Sequence, residues 1–249
     1  GAAIVNHGHV YENLVFYDFD HDGISTQQTL MADAIYSNNL FYNGFQAIEG
    51  LVGKFHNNVI DKMTHAGFAT GGNGGGPASF THNTTRAITG IAYDLQFLAG
   101  DVDLTGPIDF TDNTAEDSTG SCFNLWNVHD LTYTGNTCVS SNGTNVSFQN
   151  IKRGLIDDNK LMGRGTGTVG YIFNNVTDVE IGSNYVHPSI TTPFSNLHTA
   201  AVYSPPIRTV WARFDTINTP ASTSEYTLRT KTLEANYLSE GVGVHIITQ

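Results

Sequence analysis

One short pattern constrains the fold of this chain more than any other feature. It reads apolar, any residue, apolar, two turn positions, and the last of these is asparagine. Copies run from Ala34 to Asn39, Gly53 to Asn58, Ala78 to Asn83, Ile108 to Asn113, Leu131 to Asn136 and Val179 to Asn184. A copy one residue tighter runs from Leu155 to Asn159, and an earlier one, Leu14 to Asp18, carries Asp in place of Asn. The marker spacings are 21, 19, 25, 30, 23, 23 and 25 residues. That is the period of a solenoid coil. The segments alternate apolar and polar residues and lack helical periodicity, so they read as short strands. Asn tolerates the left-handed backbone of a tight turn between two strands. At the same turn in successive coils its side chains stack, each amide hydrogen-bonding the next.

Stacked coils of this length with an asparagine ladder resemble the right-handed parallel β-helix of the pectate-lyase-like superfamily. The resemblance covers residues 2–187. It implies an all-β solenoid of about eight or nine coils, each with three strands. Reading Asn as the second turn residue, strand two precedes it and strand three follows. Strand one is then Phe45 to Ile48, Ala66 to Ala69, Ile88 to Tyr93, Ser121 to Leu125, Asn145 to Phe148 and Val169 to Phe173. Residues 188–249, where the pattern fades and Pro and Ser punctuate the chain, read as a last coil followed by a cap, an oligomerisation segment, or both.

The composition excludes several classes. With 11 basic and 23 acidic residues the net charge is −12, which leaves no electrostatic footprint for nucleic acid. No apolar run is long enough for a membrane helix. The start, Gly1-Ala2-Ala3, reads as a processed or excised end.

Strand-one exits align along one wall of a solenoid, so their loops form the expected functional groove. Two are long, from Thr70 to Pro77 and from Asp94 to Pro107. The superfamily implied by the resemblance includes polysaccharide lyases, glycosidases and phage tailspike depolymerases, and suggests an extracellular or virion-surface protein. A homotrimer is the assembly to test. A glycosidase needs two carboxylates, and a lyase needs a base and a cation that neutralises a uronate. The candidate catalytic residues are therefore Asp94, Asp101, Asp103, His129 and Asp130. The candidate substrate-binding residues are Trp126, Lys152, Arg153, Tyr93 and Asn124. The polygalacturonase, pectate lyase and tailspike signature motifs are absent, so no catalytic residue transfers by motif. A non-catalytic adhesin or structural spike is the alternative.

Other features carry less. Asp18 to Gly23 matches the first half of a Ca²⁺ loop, but Thr29 stands where the loop ends in Glu, so a plain turn is expected and Ca²⁺ is the alternative. No other cofactor is expected. Asp61, Lys62 and His65 form a second candidate wall near Glu116 and Asp117. Asp157 and Asp158 point to opposite faces and read as structural. His7 and His9 lack a third ligand, and Gly71 to Gly76 lacks the lysine of a phosphate loop. Cys122 and Cys138, placed on strands one and three of one coil, are expected as buried free thiols. Four glycosylation tripeptides begin at Asn83, Asn142, Asn145 and Asn175.

Overall fold

The computed structural model describes residues 9–25, 34–50, 52–70, 77–96 and 106–195, with the backbone of 201–203. Among them every regular element is a strand, and all nineteen strands pair in parallel into one solenoid. The segment Ile207–Gln249 separates as its own unit and lies outside the described residues. Trp211, Tyr226 and Val242, with the rest of the expected cap, fall there. Strands Thr192–Ser195 and Ala201–Tyr203 still pair with Val169–Ile181, so the solenoid continues past residue 187.

The asparagine ladder is present in full. Each of Asn39, Asn58, Asn83, Asn113, Asn136 and Asn159 donates its side-chain amide to Oδ1 of the next ladder asparagine, at 2.9 to 3.1 Å, ending on Asn184. The same oxygens accept the backbone N–H groups of the preceding turn. Seven asparagines bound 7 − 1 = 6 complete turns, so the solenoid has about six turns with partial ones beyond, fewer than the eight or nine expected.

The residue before the asparagine takes the left-handed backbone, as at Asn38 (φ 55°), Asn57 (φ 54°), His82 (φ 55°) and Asp112 (φ 55°). This corrects the earliest copy. Asn13 (φ 57°) holds the left-handed position, and the Leu14 N–H donates to Asn39 Oδ1. Leu14 therefore occupies the ladder site, and Asp18 (φ 52°) is the counterpart of Asn43 (φ 55°) at the next corner. The copy ending at Asn159 is not tighter either: Gly154 pairs with Leu131, taking the first apolar position.

The core is two aromatic columns. Tyr36, Phe55, Phe80 and Phe110 stack with centroids 4.6, 4.6 and 4.4 Å apart. Phe68, Tyr93 and Phe123 form the second column at 5.0 and 4.7 Å. The columns meet edge to face, as in Tyr93 on Phe110 at 81°. Identical registers in successive coils place rings one strand spacing apart, where offset stacking adds to area burial.

Strands one and two are not always separate. Phe123–Thr134, Val146–Asp157 and Val169–Ile181 each run through both, bending at a pair of left-handed residues. Coils nearer the start instead merge strand three into the following strand one, as in Leu40–Glu49 and Val59–Ala69. Irregular connections thus change corners along the solenoid.

Cys122 and Cys138 form a disulfide, with Cα atoms 5.8 Å apart and both side chains buried, contrary to the expected free thiols. The walls carrying them are not opposed across the coil. They converge at the corner just before Phe123, which brings the two Cβ atoms within bridging reach.

Candidate functional site

The expected groove is built where Phe123–Thr134, Val146–Asp157 and Val169–Ile181 bend. Asn127 (φ 59°), Asn150 (φ 55°) and Asn175 (φ 51°) start the bend. Asp130 (φ 51°), Arg153 (φ 60°) and Asp178 (φ 55°) end it. Between them Val128, Ile151 and Val176 turn into the core. The residue in between, His129, Lys152 or Thr177, is left on the outside, and the three are register partners on adjacent strands. The starting asparagines form a second, exterior ladder: Asn150 donates to Asn127 at 2.7 Å and Asn175 to Asn150 at 2.8 Å. Two ladders, inside and outside, thus fix the coil-to-coil spacing beside His129 and Lys152.

The charges at this corner are organised around Asp130. Arg153 donates from Nε and Nη2 to the two Asp130 oxygens at 2.7 and 2.9 Å. His129 Nδ1 lies 2.8 Å from Asp130 Oδ2. The Arg153 and His129 hydrogen bonds hold the Asp130 carboxyl far below the usual carboxylate range, and the same pairing raises Arg153. An ionised carboxylate only accepts, so His129 donates to it from Nδ1, and in the neutral ring the lone pair is then on Nε2. Asp130 is thus placed to orient His129, and its paired carboxylate is poorly suited to donate a proton. Arg153 is occupied by Asp130, which leaves Lys152 as the cation beside His129.

The other candidates are placed as follows. Tyr93 lies in the core and donates its hydroxyl to the Asn83 carbonyl at 3.0 Å, so it is removed from the substrate-binding set. Asn124 is also buried and donates to Asp94 Oδ1 at 2.7 Å. Asp94 further accepts from Gln96 at 2.8 Å. Asp94 pairs with Asn124, which is six residues before Asp130, a contour of roughly 20 Å along the strand. Asp94 is thus bonded to Asn124 and Gln96 before the bend, and Asp130 to Arg153 and His129 at its end. Trp126 is half-buried, in register between Gln96 and Gln149, with its indole N–H unpartnered among the described residues. Asp101 and Asp103 lie outside the described residues.

Gly106 belongs to the site and was not anticipated. A Cβ at this position would collide with the carbonyl oxygen of His129. The chain leaves the wall at Gln96, in register with Trp126, and returns against His129. The only sequence signal was its place before Pro107 at the end of the longest insertion.

The second wall pairs its charges in register. Asp61, Arg86 and Glu116 form one row, with Arg86 Nε 4.0 Å from Glu116. Asp157 accepts the Ser183 N–H and Asp158 takes the left-handed turn position. Asp18 accepts from Asn43 at 2.6 Å, and among the described residues no three metal-ligating side chains converge. His7 and Gly71 to Gly76 lie outside the described residues. Of the four glycosylation tripeptides, Asn83 and Asn145 are buried, whereas Asn142 and Asn175 are exposed.

No family model, curated protein or solved structure matches this chain.

Proposed function

We propose that the chain is an extracellular, polysaccharide-binding β-helix whose His129–Lys152 corner cleaves an acidic polymer by elimination. The observation that carries this reading is the His129–Lys152 register pair, with His129 Nδ1 held by a carboxylate that Arg153 keeps ionised. Lys152 would neutralise the uronate carboxylate. His129 Nε2 would then take the proton α to that carboxylate. The electron pair left behind forms the C4–C5 double bond, the C4–O bond breaks, and the leaving oxygen takes a proton from the imidazolium or water. The long straight wall suits a polymer, and the buried disulfide suits an oxidising compartment. The coil period and ladder support the β-helix part of this reading, which the resemblance to pectate-lyase-like and tailspike proteins extends to polysaccharides. A homotrimer would be the tailspike form of assembly.

The test is a panel of uronate-containing capsule and cell-wall polymers, followed by the ultraviolet absorbance of unsaturated uronate. His129→Ala is expected to lower kcat by about 10²- to 10⁴-fold, the usual contribution of a general base. Lys152→Ala should lose turnover as well, and Asp94→Asn should retain it. New reducing ends without unsaturation would replace elimination by hydrolysis. Binding without turnover would favour the adhesin reading, which the mutual neutralisation of Asp130 and Arg153 also supports.

A further inference from the structure

Eight of the ten large apolar side chains that stay exposed among the described residues lie between Val10 and Phe45. Exposed apolar surface is therefore gathered on the first turns, far along the solenoid from the His129 corner. Patches of this kind mark binding surfaces. Tyr17 (68% exposed) and Tyr42 (36%) are register partners on the outer face. The strands then bend at left-handed Asp18, Asn43 and Lys62.

Beyond the bend is an open depression of about 460 Å³, lined by Asp18, Phe19, Asp20, Asn43, Phe45 and Thr64. Gly44 has a specific role there, because a Cβ would run into the Phe19 ring. Without it the ring lies against the backbone as part of the lining. Phe45 stays 38% exposed and stacks on His65 at 4.8 Å and 13°. Lys62 Nζ donates to the Tyr42 hydroxyl at 2.6 Å and sits 4.8 Å over its ring.

We infer that this corner is a second binding site, for a neutral glycan. The facing groups decide the ligand class. Asp18 and Asp20 line the depression and oppose an anionic polymer, and Lys62, bonded to the Tyr42 hydroxyl beside it, opposes a cationic one. A neutral sugar has an apolar C–H face for Phe45 and Tyr17, and hydroxyls for the carboxylates, the Asn43 amide and Thr64. A second copy of the chain is a poorer occupant, since charged groups are depleted from the centres of protein interfaces and here they line the depression. The inference does not rest on the elimination reading, because it uses none of its residues.

Affinity electrophoresis through gels containing neutral glucans, mannans, galactans or N-acetylglucosamine polymers tests it, with sedimentation velocity alongside. At least one neutral polymer should retard the native protein. Tyr42→Ala and Phe45→Ala should weaken retention at least about tenfold, as for a buried aromatic anchor. Asp20→Asn, an exposed change that leaves the core intact, should weaken it too. Thr132→Ala, an exposed and charge-neutral change elsewhere on the solenoid, should be retarded as the native protein is. Absence of retardation by every neutral polymer would overturn the inference, as would retention unchanged in all three variants. A concentration-dependent dimer abolished by Tyr17→Ala would assign the face to self-association instead.

Discussion

The side-chain amide of Asn113 donates to Oδ1 of Asn136 across 3.0 Å, and the same oxygen accepts the Asn113 backbone N–H at 3.0 Å. Asn136 in turn donates to the Phe110 carbonyl at 2.9 Å and to Asn159 at 3.1 Å. Asn136→Leu would strand several buried groups at about 1–3 kcal/mol each, so a loss of at least about 3 kcal/mol is expected. Asn184→Leu, at the half-buried end of the ladder, should cost less. Urea denaturation of both variants measures the difference. The native Leu14 shows where leucine is tolerated: at the ladder's first position, 39% exposed.

Two buried core tyrosines, Tyr93 and Tyr133, should respond oppositely to loss of the hydroxyl. Tyr93 donates to Asn83, whereas the Tyr133 hydroxyl has no partner among the described residues. Burial raises both phenols well above their ordinary range. Tyr93→Phe is expected to destabilise by about 1 kcal/mol, and Tyr133→Phe to be neutral or stabilising. Thermal melts of the pair decide it.

The disulfide closes a loop of 16 residues and both sulfurs are buried. In the chain-entropy account a loop of that size contributes about 3 kcal/mol. Paired Cys122→Ser and Cys138→Ser substitutions should lower stability by at least that much, because buried hydroxyls replace the bridge. Native protein should resist reductant until denaturant is added, which thiol titration checks.

Asp130 links the site to pH. Its folded pKa is depressed, first by the Arg153 hydrogen bond and then by that of His129. Its contribution is thus present above the unfolded carboxyl value, near 3.9, and is lost only as pH falls through the lower folded value. Nuclear magnetic resonance titration should find Asp130 still ionised at about pH 3. In Arg153→Ala the carboxyl should titrate closer to its ordinary value. If it titrates normally in the native protein, the corner is not held as described.

The ladder was legible because each coil repeats the same steric need, a left-handed turn followed by an inward amide, in one residue type. Lys54, Ser79 and Asp109, partners on one outer row, share no side-chain type because solvent imposes no such need. The corner was legible by position: His129, Asp130, Lys152 and Arg153 do meet there. Their roles were not, since pairing of Arg153 with Asp130 depends on the left-handed bend at both residues. The exterior ladder repeats at steps of 23 and 25 residues, as the inner one does there, but through only three copies. The disulfide was missed because sequence assigns cysteines to walls without showing where two walls converge.

The central functional claim is that the His129–Lys152 corner engages an acidic polysaccharide. Resonance mapping of ¹⁵N-labelled protein, titrated with oligomers of the polyuronates in the panel, tests it most directly. The account predicts perturbations concentrated on Trp126 to Asp130 and Gln149 to Arg153 for at least one polymer, abolished by Lys152→Ala. Spectra unchanged by every acidic oligomer, or perturbations that survive Lys152→Ala unchanged, would contradict it.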